Sequence, residues 1–150
     1  MREIVFALEF RGRAGPVPGS DTERRAHSTA PGQMLTTVLE SDGVRARLEA
    51  LGGDTAVLES RVERFGDGTF LEDGTITYGR AGAVTFETIG RGWVAPAPVT
   101  GWVHGGVVWT ITGGTGRLAG ARGLITSNFT VSGEGEVVDD HFVRLYLPAE

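Results

Sequence analysis

The 150-residue chain contains no cysteine and no lysine. Without cysteine there can be no disulfide, no thiolate nucleophile and no thiolate-ligated metal. Without lysine the Walker phosphate loop is ruled out, because its mechanism needs that side chain at the nucleotide. All 14 basic residues are arginine, a bias that genomic composition is enough to explain. No apolar run approaches the length needed to span a bilayer as a helix. The first ten residues alternate in polarity and carry Glu3 and Glu9, unlike a secretory leader with its basic start and unbroken apolar core. A cytoplasmic location is therefore expected. Net charge is also short on the positive side, at −5, which disfavours nucleic acid and anionic membranes as partners. Histidine is scarce: His27, His104 and His141 are scattered without paired ligand spacing, so no metal site is expected.

Glycine, by contrast, is abundant. Its 24 copies fall between apolar runs without a collagen period, a pattern of many tight turns. With 40% hydrophobic and 22% charged residues the chain reads as one soluble globular domain over 1–150. Residues Ile4, Phe6, Leu8 and Phe10 alternate with polar neighbours and predict a first strand. From Gly12 to Gln33 the pattern is broken by Pro16, Pro18, Pro31 and interior glycines, which predicts a long loop over 12–33, as a lid or a disordered segment. Two alternating runs, Met34 to Glu40 and Val44 to Ala50, flank Ser41-Asp42-Gly43 and predict a hairpin. Helix is the rival reading over 44–65, because Val44, Leu48 and Leu51, then Leu58, Val62 and Phe65, also fit helical spacing. Turn signals recurring along the rest of the chain favour strands. Glu72-Asp73-Gly74 reads as one such turn, and Gly133-Glu134-Gly135 as the last. The expected architecture is all-β: about eight strands in an antiparallel meander, closed into a single barrel so that no edge is exposed.

Between two β-branched runs lies Thr112-Gly113-Gly114-Thr115-Gly116-Arg117-Leu118-Ala119-Gly120-Ala121-Arg122-Gly123. It imitates a dinucleotide-binding loop. That function needs a helix starting at the loop, with its N-terminus facing the pyrophosphate. Gly120, Gly123 and a β-branched run follow instead, and too little chain remains to build a doubly wound sheet. The stretch is better read as a corner between strands. His104-Gly105-Gly106 looks like an esterase oxyanion loop, yet no Gly-x-Ser-x-Gly nucleophile elbow accompanies it. Asp139 and His141 share a strand face by period two, so the carboxylate is placed to orient the imidazole, although an exposed strand start explains the same pattern.

The corner Gly113-Gly114-Thr115-Gly116, followed by Ala121-Arg122-Gly123, resembles the signature between two late strands of plant dirigent proteins. Allene oxide cyclases carry a related glycine corner. The resemblance implies an eight-stranded antiparallel barrel, a homo-oligomer, and guidance of cyclisation, coupling or isomerisation of apolar small molecules without a cofactor. Dirigent proteins are secreted and usually disulfide-bonded; this chain has no cysteine, and a secretory signal is not expected at its start. No catalytic residue transfers with the motif.

Alternation supplies candidate cavity residues. His104, Asn128 and Tyr146 are the expected catalytic polar groups, with Trp102, Trp109 and Arg144 as ligand-binding residues. His104 would move a proton, and Asn128 or Tyr146 would stabilise an oxyanion. The sequence leaves open which strand face points inward, and a shift of one residue inverts the set. Three functions stand: a cofactor-independent cyclase or isomerase acting on an apolar substrate, a binding protein for a hydrophobic small molecule, or a solid barrel with a structural role.

Overall fold

The computed structural model describes residues 1–150. Nine strands follow one another: β1 (Arg2–Pro16), β2 (Glu23–Glu40), β3 (Gly43–Arg64), β4 (Thr69–Tyr78), β5 (Ala83–Thr88), β6 (Gly92–Pro96), β7 (Trp102–Gly114), β8 (Arg122–Ser132) and β9 (Glu136–Leu147). Two single 3-10 turns, Gly79–Ala81 and Gly116–Leu118, are the only helical pieces. All pairings are antiparallel. The order β3-β2-β1-β9-β8-β7-β5-β4 returns to its start through a β3–β4 ladder, so eight strands close a ring. The short β5 and β6 share the place between β4 and β7, β6 pairing with both where β5 has ended. The closed all-β ring is the architecture that the alternating runs and turn signals predicted.

Several local expectations do not hold. The predicted loop over 12–33 is strand except at residues 17–22, with β1 running to Pro16 and β2 starting at Glu23. Pro16 ends a strand, and Pro31 lies beside a bulge, positions where a missing N–H is tolerated. Residues 43–64 form one continuous strand, as the favoured reading had it, and it is the rival helix that does not form. Glu72-Asp73-Gly74 lies within β4 and does not turn. Glycine serves close approach at two of these points: a Cβ on Gly12 would strike the His27 carbonyl and Ser28, and one on Gly74 would strike the Glu59 carbonyl and Ser60. Ser28 and Ser60 are the ladder partners of these two glycines, and they lie too close for a side chain opposite them.

The β2–β3 hairpin is longer than the barrel. At the bulge between Pro31 and Gln33 it leaves the ring and runs out as a two-stranded arm with every residue from 34 to 55 exposed. Gln33 marks the parting point. Its side-chain amide donates to the Glu9 carbonyl at 2.9 Å and accepts from the Glu9 N–H at 2.7 Å, replacing the ladder that β1 and β2 no longer share.

Inside the ring the core is layered. Val84, Ile76, Ile111, Ile125, Val143 and Leu145 fill one end. The glycine corner closes that end: Leu118 and Ala121, on and just after its 3-10 turn, are buried, and Thr115 donates its N–H to the Ala83 carbonyl at 2.9 Å. Gly116 and Gly120 take positive φ values of 59° and 76° there, conformations that favour glycine. The corner is structural, and it seals the barrel at the end where the chain's termini also lie.

Candidate functional site

At the opposite end, under the β1–β2, β3–β4 and β8–β9 turns, the barrel is open. A cavity of about 420 Å³ enters it. Its upper walls are apolar, with Val62, Phe70, Val94, Phe129 and Val131 on strands from opposite sides of the ring. Phe70 and Phe129 meet edge to face, with ring centroids 5.9 Å apart. Inward-facing positions that are apolar elsewhere become polar at the floor: Ser28, Glu72, Ser127 and Asp139 line the cavity, and Ser60 and His141 lie buried beside them.

Two carboxyl groups are held at this floor in different ways. Ser127 Oγ donates to Asp139 Oδ1 at 2.6 Å, and His141 Nε2 lies 2.9 Å from Asp139 Oδ2. A carboxylate holding two such partners is fixed in orientation. Glu72 has a single side-chain partner, Ser60 Oγ, which donates to Oε2 at 2.6 Å. Thr88 anchors its backbone from β5, accepting from the Glu72 N–H and donating to the Glu72 carbonyl, both at 2.7 Å. Burial pushes the Glu72 carboxyl up to about 8, opposed by the Ser60 hydrogen bond and reinforced by the negative charge on Asp139. At neutral pH Glu72 therefore keeps its proton. The site thus pairs an acid that can donate with a second carboxyl held as an acceptor.

Beneath the polar layer lies an aromatic plug. The His141 ring packs on Phe10 with centroids 4.5 Å apart, and the edge of Trp109 meets it at 5.1 Å. Trp109 in turn stacks on Phe86 at 4.1 Å. Neither Trp109 Nε1 nor His141 Nδ1 has a hydrogen-bond partner, so the indole is held by packing alone and the imidazole by packing and its Nε2 contact with Asp139. This plug separates the cavity from the apolar end of the barrel.

The residues expected from sequence to line the cavity are placed differently. On β7 the inward residues are Val107, Trp109 and Ile111, which leaves Trp102 and His104 on the outer face, His104 beside the exposed Trp93 ring at 5.9 Å. On β8 the inward series is Ile125, Ser127, Phe129, and Asn128 faces out, paired in register with Asp140. Arg144 and Tyr146 lie outside on β9 with Glu3, whose carboxylate is 3.8 Å from the Arg144 guanidinium. Only Trp109 is inside, and it belongs to the plug below the cavity. The expectation chose the polar face as the lining, whereas hydrophobic burial turns the apolar face inward and carries with it the few polar residues of the same parity.

Those few were partly visible in the sequence. The Asp139–His141 pairing by period two is realised, and both are buried, not an exposed strand start; Asp140 between them points outward. Burial and the neighbouring Glu9 push Asp140 up to about 6 on that outer face. Glu72 was hidden by the false turn. Its signal was parity: Phe70, Glu72, Gly74, Ile76 and Tyr78 are one face of β4, and a carboxyl on an apolar face is the unusual residue.

A second, larger depression of about 860 Å³ lies on the outer face of β1–β4. Two of its arginines are paired with carboxylates, Arg25–Glu23 at 3.4 Å and Arg61–Asp73 at 3.7 Å, and the His27 ring lies 3.3 Å from the Glu59 carboxylate. It lacks the apolar walls of a small-molecule site.

No protein-family model matches the chain, and no curated protein matches it. Among solved structures, a pterocarpan synthase dirigent protein is similar at 13% identity over 98% of this chain and 90% of that one, with a TM-score of 0.32. That degree of likeness assigns the chain to no family.

Proposed function

We propose that the barrel binds an apolar small molecule in the cavity at its open end and promotes an isomerisation or cyclisation by proton transfer. One observation carries the reading: a neutral glutamic acid and an oriented second carboxyl share the floor of a cavity whose upper walls are apolar. Such environments, which set two carboxyl groups apart, are how one site performs acid and base chemistry at one pH. Glu72 would donate its proton to a carbonyl, enol ether or epoxide oxygen of the substrate as charge develops there. Asp139, fixed in orientation by Ser127 and His141, would accept a proton from carbon. The apolar walls hold the molecule folded near its reactive shape and exclude water. The chemistry assigned to these side chains calls for no cofactor.

The test uses small molecules extracted from the protein's source organism, incubated with the protein in deuterium oxide and followed by native mass spectrometry. The expected result is a retained molecule that is isomerised or gains deuterium, with turnover lost in Glu72→Gln and in Asp139→Asn while retention persists. Retention without any change in the molecule would support instead a binding protein without turnover. No retention would refute the assignment of the cavity.

A further inference from the structure

The mouth of the cavity carries an excess of positive charge, whereas its floor holds the two carboxyl groups. Inward parity on β2 runs Ala30, Ser28, Ala26, Arg24, and on β3 it runs Leu58, Ser60, Val62, Arg64. Both series thus end in an arginine whose side chain lines the cavity at its rim. Neither guanidinium forms an ion pair with any carboxylate of the chain. Of the neighbouring acids, Glu134 shares the rim with its carboxylate in no ion pair, and the others are engaged elsewhere or lie deeper. Glu23 faces outward to Arg25 and Arg61, and Glu72 is neutral at the floor. Arg13 at the same rim donates to the Glu134 backbone carbonyl at 2.7 Å. Arg24 is half-buried, and that burial together with the charge of Arg64 lowers its pKa. With Arg13 beside them, Arg24 and Arg64 give the rim three guanidinium groups to the one carboxylate of Glu134 and no ion pair, an excess of positive charge that a bound anion would relieve.

We infer that Arg24 and Arg64 form an anion-recognition pair, so that the molecules this cavity selects carry a negatively charged group on an apolar body. The inference rests on the cavity being the binding site, and it adds the class and the orientation of the ligand. The anionic group stays at the rim, where planar guanidinium groups bond carboxylate, phosphate or sulfonate oxygens in pairs. The apolar body lies against the wall that Phe70 and Phe129 form together, and its far end meets Glu72 and Asp139. A neutral Glu72 suits this arrangement, because an anion entering the barrel then meets one fewer negative charge.

Two fluorescent probes that share a ring system test it: anilinonaphthalene sulfonate, which is anionic, and phenylnaphthylamine, which is not. The wild-type protein is expected to bind the sulfonate at least about tenfold more tightly than the neutral probe, the range of charge-assisted hydrogen bonds. In Arg24→Gln/Arg64→Gln that preference disappears while the affinity for the neutral probe is unchanged. Arg61→Gln, on the outer face, changes net charge equally per residue and should leave both affinities alone. Equal affinity of the wild type for the two probes, or an equal loss of both in the double variant, overturns the inference while leaving the cavity assignment standing. Val131→Phe, which fills the mouth, should abolish both. Probe binding that survives it lies outside the barrel and overturns the inference, and failure of the wild type to bind either probe refutes both the cavity and the inference.

Discussion

Substituting Glu72 by Gln should make the protein more stable at high pH and leave it nearly unchanged at low pH. The proton affinity of Glu72 rises from its usual 4.5 to about 8 on folding. Between those values the folded state holds a proton that the unfolded state has lost, so the contribution of Glu72 to stability falls as pH rises through this window. Below the window both states are protonated; above it the full cost is present. Each tenfold change in affinity is worth ~1.4 kcal/mol, which sets a ceiling of about 5 kcal/mol. Glu72 retains some surface toward a cavity that water can enter, and solvent there screens part of the penalty, so about 2–3 kcal/mol is expected. Glutamine keeps the Ser60 hydrogen bond through its carbonyl oxygen, and so models the neutral acid. Urea unfolding of both proteins from pH 4.5 to 9 measures the difference directly. Asp140, pushed up to about 6 with the same sign of effect, is present in both proteins and cancels. A difference in stability that does not vary with pH, or a variant less stable than wild type at pH 9, would refute the account of Glu72 as a neutral buried acid.

Other perturbations address the plug, the corner and the arm. Trp109→Ala should cost about 3–5 kcal/mol in urea unfolding, as for other buried aromatic residues, and Trp109→Phe distinctly less, because the indole N–H makes no hydrogen bond to lose. Leu118→Ala, at the sealed end, should lower stability by about 2–3 kcal/mol yet leave probe binding at the open end intact; weakened binding would show that the corner shapes the cavity after all. Ser127→Ala should cost about 1–3 kcal/mol by removing a buried donor to Asp139, an effect readable as a lower melting temperature. Replacing residues 34–49 by a two-residue turn should leave the far-ultraviolet spectrum β-rich and the melting transition cooperative, since no arm residue is buried; an unfolded product would mean that the arm supports the ring.

Much of this molecule is dictated by local pattern. Alternation of apolar and polar residues along β1, β7, β8 and β9 specifies strands, the glycine corner specifies a reversal, and the absence of cysteine and lysine removes whole classes of chemistry. These are properties of neighbours in the chain, and they survive without knowledge of what packs on what. The extent of β1 through Gly12 and the passage of β4 through Gly74 were illegible for the opposite reason. A glycine that breaks a strand and a glycine that lets another strand approach look alike in sequence, and only the close approach of Ser28 or Ser60 distinguishes them. The functional face shows the same limit most clearly. Period two says that Ser127 and Phe129 share a face and that Asn128 lies on the other, but not which one the barrel encloses. Ring closure decided that, through the burial of the larger apolar surface. In doing so it brought Glu72 of β4, Asp139 of β9 and the arginines of β2 and β3 to a single cavity, a convergence from four strands that no local spacing encodes.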